Sequence, residues 1–200
     1  MKIIIIEGLD NTGKTTMINR LMQRYKDVLY IHSDKPEWDG DNISCAIRQT
    51  ESFKNIVKRI IDTSLCNLTK PNAIILDRSW LGEYVYGCMY RDNNDSYVLK
   101  MIKECFDDLR YYDDHDCVSL LLTASPEFCM SHDDNMSLSD HDLNKIKEEK
   151  DRFEKLFTEY KDIIYGKSKI INVEGENNNY RPINDIYMEI INIIENGSEE

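Results

Sequence analysis

Five short apolar runs alternate with longer polar stretches along the chain: Lys2 to Glu7, Val28 to His32, Ala73 to Asp77, Val118 to Thr123 and Lys169 to Val173. Each has strand length, is rich in β-branched residues or Leu, and is bounded by turn formers. Runs that are apolar at consecutive positions, such as Ile3 to Ile6, suit strands of a parallel sheet buried on both faces, and the segments between them are long enough for right-handed crossovers. The pattern predicts an α/β, doubly wound fold: a five-stranded parallel sheet with helices on both faces.

Helices follow from apolar spacing near 3.6 residues. Met17, Ile18, Leu21 and Tyr25 line one face of a first helix, and Phe53, Ile56, Val57, Ile60 and Ile61 one face of a longer one. Between Asp142 and Tyr160 the stripe is Leu143, Ile146, Phe153, Phe157 and Tyr160, with Glu148/Arg152 and Asp151/Lys155 spaced to pair on the wet side. Ser125-Pro126-Glu127 has the chemistry of a helix start: a capping hydroxyl, a residue with no amide hydrogen to lose, and a carboxylate at the positive end of the dipole. Ile183, Ile186, Tyr187, Ile190 and Ile194 mark a last helix, after which 196–200 is expected to fray. No Gly-, Ser- or Pro-rich linker and no repeat divides 1–200, which is expected to form one domain. The polar stretch 131–142 has the composition of a mobile surface loop and is a candidate lid.

Charge narrows the partners. The 25 Lys and Arg against 37 Asp and Glu give a net charge of -12 over 200 residues, the wrong sign for holding a polynucleotide by its phosphates. The early apolar run is far short of a signal core or of the roughly 20 residues a membrane helix needs, so no membrane association is expected. Six scattered cysteines without a CxxC pair suggest neither zinc nor a disulfide framework, but reduced thiols in a cytoplasmic protein.

The chemistry begins at the first predicted strand-helix junction. Gly8-Leu9-Asp10-Asn11-Thr12-Gly13-Lys14-Thr15 matches the Walker A pattern in its confirming context, with strand before and helix after. The glycines let the backbone wrap a phosphate so that amide hydrogens and the helix N-terminus face the anion. Gly8, Asn11, Thr12, Gly13, Lys14, Thr15 and Thr16 are accordingly candidates for holding ATP phosphates, Lys14 as a point charge and Thr15 as a Mg²⁺ ligand. The second motif is Asp77-Arg78-Ser79, at the carboxyl end of the third predicted strand, the edge where such folds bind ligands. There Asp77 is a candidate for holding Mg²⁺, directly or through water, or for orienting an acceptor. Arg78 is a candidate for gripping phosphates in the transition state; the bland alternative is an Asp-Arg pair that only caps a turn. No NKxD-like element selects guanine, and the chain is short for a motor or AAA-type ATPase. A small kinase remains.

These residues resemble the thymidylate kinase family of nucleoside monophosphate kinases. Ile6-Glu7-Gly8-Leu9-Asp10-Asn11-Thr12-Gly13-Lys14-Thr15-Thr16 is similar to that family's opening EGLDGxGKTT, and Leu76-Asp77-Arg78-Ser79 with Gly82 to Gly87 is similar to its DR[YFS] strand end and following helix. The resemblance implies a P-loop kinase fold, MgATP as donor, dTMP as acceptor, dTDP as product and a homodimer. It further implies Asp10 near the acceptor sugar's 3′-hydroxyl and Arg78 between donor and acceptor phosphates. Phe53 stands where the family places an aromatic that stacks on the acceptor base, although it also belongs to an apolar stripe. Arg48 is a candidate for the acceptor phosphate, and Glu83, Tyr84 and Tyr86 for the acceptor pocket.

The sequence departs from the family where a catalytic arginine is expected. Neither the cradle nor the lid, Met130-Ser131-His132-Asp133-Asp134-Asn135, contains one, and loss of such a cation costs about 10³ or more in rate. His132, Arg91, Lys145, Lys147 and Arg152 are candidates to replace it. Two other functions compete: a deoxynucleoside kinase, for which Asp34, also a candidate for the acceptor site of the monophosphate kinase, or Glu37 would be the carboxylate base near the second strand's end, and a nucleotide-binding protein that has lost efficient catalysis.

Overall fold

A computed structural model describes residues 1–33, 40–66, 70–111, 116–132 and 138–196. Its centre is a five-stranded sheet in the order β2-β3-β1-β4-β5, every neighbouring pair parallel. The strands are β1 (Lys2–Gly8), β2 (Val28–His32), β3 (Ala73–Asp77), β4 (Asp116–Thr123) and β5 (Lys167–Asn172). Each coincides with a predicted run to within two residues at either end. β1 lies in the middle, and Ile3, Ile4, Ile5 and Ile6 have no exposed surface, as a strand covered on both faces requires.

Around the sheet lie α1 (Lys14–Arg24), α2 (Asn42–Leu65), a short α3 (Cys88–Tyr90), α4 (Asp95–Tyr111), α5 (Pro126–Ser131), α6 (Leu143–Thr158) and α7 (Ile183–Asn196). The Ser125 hydroxyl caps α5 by accepting the Phe128 amide at 3.1 Å, and Asp41 and Asp142 cap α2 and α6 in the same way. α4 is an element the spacing above did not single out. Its buried Val98, Met101, Ile102, Cys105, Phe106 and Leu109 nevertheless have helical spacing, and it packs against α2. Between β3 and α3 the chain makes a 3₁₀ turn (Trp80–Gly82) and a π turn (Glu83–Gly87), so the helix expected after Ser79 is broken into tighter and wider turns.

The expected lid is divided among other elements: Ser131 ends α5, Asp142 caps α6, Ser139 is buried, and 133–137 lie outside the described residues. Asn196 is the last residue of α7, while 197–200, also expected to fray, lie outside them. Among the described residues no helix is long and apolar enough to cross a membrane. All six cysteines are free thiols, and Cys45, Cys105, Cys117 and Cys129 are buried.

Gly8 sets how closely β1 and β4 approach. Its φ is +146°, and a Cβ there would stand 2.1 Å from the Leu122 carbonyl oxygen. Gly8→Ala is therefore expected to cost about 3 kcal/mol or more of stability, read from the urea midpoint, because backbone and not a pliable side chain blocks the methyl. An unchanged midpoint would contradict this packing.

Candidate functional site

The loop after β1 turns through two left-handed residues, Asn11 (φ 62°) and Gly13 (φ 79°). Gly13 is the N-cap of α1 and has no side chain to offer, so the first amides of the helix keep their capacity to bind an anion. Thr12 is buried with its hydroxyl donating to the Leu9 carbonyl at 2.8 Å, so this side chain braces the loop from within. Lys14 donates to the carbonyls of Gly8 (2.9 Å) and Leu9 (2.6 Å) and lies 3.7 Å from Asp10. Burial pushes the Lys14 ammonium down to about 8, the charge of Arg78 pushes the same way, and Asp10, Glu7 and Asp77 oppose both.

β3 supplies the opposite wall. Its neighbour in the sheet is β1, with Asp77 in register with Ile6, so the Asp-Arg pair emerges beside the loop. Arg78 is itself left-handed (φ 65°), held by its amide donating to the Ile6 carbonyl at 3.1 Å. That turn carries its guanidinium to Asp10 Oδ1 at 2.5 Å and over the ring of Tyr86, 5.2 Å from the centroid. Asp77 is almost buried and accepts from Tyr30 Oη at 2.8 Å, with His32 Nδ1 at 3.2 Å. These elements enclose a cavity of about 420 Å³ lined by Asp10, Asn11, Gly13, Lys14, Thr15, His32, Asp77, Arg78 and Tyr180.

The donor set suits Mg²⁺. The Thr15 hydroxyl and Asp77 carboxylate are hard oxygen ligands on one cavity, and among the described residues no cluster of three acidic, His or Cys side chains forms a complete cage. Mg²⁺ takes few protein ligands and fills its octahedron with phosphate oxygens and water, so a sparse oxygen site beside an anion cradle fits it.

No protein-family model matches the chain, and comparison with curated proteins by sequence finds no match. Solved structures do match. Thymidylate kinase from Ehrlichia chaffeensis superposes with a TM-score of 0.63 at 17% identity, covering 97% of this chain and 98% of that one. Thymidylate kinase from Candida albicans gives 0.66 at 19%, covering 97% and 91%. The YorR protein of Bacillus subtilis, in complex with phosphorylated GDP, gives 0.65 at 15%, covering 96% and 95%. The chain has the thymidylate kinase fold.

Within that fold two buried carboxylates flank the cradle. Glu7 is fully enclosed and accepts from the Ser79 hydroxyl at 2.7 Å. Burial raises it to about 7, against the lowering pull of that hydrogen bond and of Arg78 and Lys14. Glu149, on α6, accepts from Tyr90 Oη at 2.5 Å and shares a small cleft with Leu9, Asp10 and Asn11. Burial raises it too to about 7, with the Asp10 charge acting in the same direction. The sequence reading missed Glu149, although a signal was present: it stands between Ile146 and Phe153 at helical spacing, a carboxylate inside an apolar stripe. Tyr180 was missed as well. Its hydroxyl donates to the Asn11 carbonyl at 2.6 Å, and its ring meets Phe128 and His132 edge-on.

Several expected site residues lie elsewhere. Phe53 is 1% exposed and joins the core, because it shares the buried face of α2 with Val57 and Ile60. Arg48 lines a separate groove along α2 with Glu51, Ser52, Asn55, Ile56 and Arg59. Glu83 is committed to Arg91 (2.6 Å) and Asn93 (2.7 Å) beneath the π turn, which also takes Arg91 out of the search for a further cation. Arg152 pairs with Asp95 and lies over the Tyr84 ring, Lys145 faces Asp140, and His132 stacks on Phe128. Thr16 and Lys147 are exposed and do not line the cavity; Asp34 and Glu37 lie outside the described residues. Among the described residues, Lys14 and Arg78 are the lysine and arginine that line it.

Glu7 gives the site a pH signature. Its acid is raised in the folded state, so the folded protein holds a proton that the unfolded chain has released across the interval from about 4.5 to about 7. Stability from this group is complete below that interval and is lost as pH rises through it. Glu7→Gln, which mimics the protonated form, is expected to match the wild type in unfolding free energy from urea at pH 4 and to exceed it at pH 8 by about 1–3 kcal/mol. A difference independent of pH would contradict the assignment.

Proposed function

We propose that this protein is a deoxynucleoside monophosphate kinase that transfers the γ-phosphoryl group of MgATP to dTMP, giving dTDP and ADP. The observation that carries the reading is the Arg78–Asp10 contact at 2.5 Å, which fixes a guanidinium across the mouth of a Walker A loop. The similarity of Glu7 to Thr16 and of Leu76 to Ser79 to thymidylate kinase motifs supports the choice of acceptor. The resemblance also underlies the expectation of a homodimer, and the scattered free cysteines underlie that of a cytoplasmic setting.

In this reading the loop amides and Lys14 hold the donor's β and γ phosphates, which raises the Lys14 ammonium from its depressed value as the anion arrives. Arg78 lies between donor and acceptor, where its planar fork bridges oxygens of both phosphates as charge spreads in the transition state. Asp10 keeps that fork from collapsing onto the phosphates in the ground state and faces the acceptor sugar. The nucleophile is a phosphate oxygen already ionised at neutral pH, so positioning and charge do the chemistry and no strong base is needed. Bound Mg²⁺ supplies charge neutralisation at the β and γ oxygens; Thr15 and Asp77 are the residues that would hold it.

ADP release should be followed with MgATP and, separately, dTMP, the other deoxynucleoside monophosphates and thymidine. The expected result is turnover with dTMP that disappears in Lys14→Ala. In Arg78→Ala, kcat should fall by about 10² or more while the KM for ATP changes little. Turnover with thymidine alone would contradict the monophosphate acceptor, and silence across the panel with ATP still bound would contradict the kinase itself.

A further inference from the structure

Neither Tyr30 nor His32 belongs to the motifs that mark the phosphate site, yet both reach it from the edge strand. They are two residues apart on β2, so they point to the same face, and the register sets His32 directly beside Asp77. Tyr30 lies about 6.6 Å further back along the strand, a span its phenol crosses. Both meet the same carboxylate oxygen: Tyr30 Oη is 2.8 Å and His32 Nδ1 3.2 Å from Asp77 Oδ2. Oδ1 accepts no hydrogen bond from another described side chain.

We propose that Tyr30 and His32 are positioning residues for Asp77, clamping Oδ2 so that Oδ1 is presented to a divalent cation accompanying the donor phosphates. The inference rests on the reading of the cavity as a metal-nucleotide site. Its physical reason is competition. Asp77 shares the cavity with Lys14 and Arg78, and an aspartate with two soft torsions would swing to pair with either of them. Among the described residues its side chain meets Tyr30 and His32 instead, and Arg78 is turned away to Asp10. The Tyr30 hydrogen bond on Oδ2, with the His32 ring 3.2 Å from the same oxygen, holds the carboxylate back from both cations, much as outer hydrogen bonds orient ligands at metal sites.

The test uses the full-length protein with ATP and Mn²⁺ as probes. ATP affinity is measured by calorimetry with saturating Mn²⁺ and with excess EDTA; the ratio of the two reports how much the protein gains from the metal. In the Tyr30→Phe/His32→Ala double variant this ratio is expected to fall about tenfold or more, with a smaller change in the metal-free affinity, whereas His32→Asn, which keeps a planar polar group beside Oδ2, stays within about twofold of wild type. Tyr30→Phe alone, which removes one oxygen from a half-exposed side chain, should give part of the loss and serves if the double variant does not fold. An unchanged ratio in the double variant or in Tyr30→Phe would overturn the proposal, as would an equal fall of metal-free affinity, or the same loss in His32→Asn as in the double variant. A wild type whose ATP affinity ignores Mn²⁺ would sink both this inference and the metal-nucleotide reading. One that binds MnATP but phosphorylates no monophosphate would sink the proposed reaction alone, with the ratio still deciding the role of Tyr30 and His32.

Discussion

Arg78 reaches Asp10 only because β1 and β3 are hydrogen-bonded neighbours, so that residues 68 apart in sequence leave the same edge of the sheet side by side. The contact needs Arg78 in a left-handed backbone conformation that ordinary residues avoid, and the amide bond to the Ile6 carbonyl offsets part of that cost. The cradle, the Asp77 carboxylate and the cavity between them are all placed by this pair of strand ends. The order β2-β3-β1-β4-β5 follows from crossovers that carry the chain first to one side of β1 and then to the other.

The second constraint is charge in a place with little water. The charges of Lys14 and Arg78 act on both Glu7 and Glu149, that of Asp10 on Lys14 and Glu149, and burial pushes Glu7 and Glu149 toward their neutral forms and Lys14 toward its own. Such a group cannot be exchanged residue by residue, because the ionised form of each depends on its neighbours. An arriving polyphosphate shifts this balance toward a charged Lys14. A strongly acidic chain thereby keeps a local cationic wall, Lys14 and Arg78, at the one edge where phosphates are expected to bind.

What the sequence made legible was periodic or contiguous. The five strands were readable because each is a bounded apolar run, and the cradle because its residues are consecutive. Ser125 was readable as a cap because capping is local. The contacts that complete the site are between elements, and periodicity does not carry them. His32 meets Asp77 through sheet register, Glu149 approaches Asp10 through the packing of α6, and Tyr180 returns to Asn11 from the chain beyond β5. Phe53 shows the opposite limit: one aromatic fitted two environments, and the packing of α2 chose the core. Glu83 and Arg91 are likewise a charged pair buried in a wide turn that apolar spacing does not describe.

The central claim is that donor and acceptor phosphates meet between the Lys14 loop and Arg78. The most direct measurement is the affinity for a single molecule in which adenosine and thymidine are joined 5′ to 5′ through a pentaphosphate, compared with ATP and dTMP separately. If the two sites adjoin, the linked compound should bind about 10²-fold or more tighter than either nucleotide and lose that gain in Arg78→Ala. Binding no tighter than ATP, or equal binding by the variant, would contradict the claim.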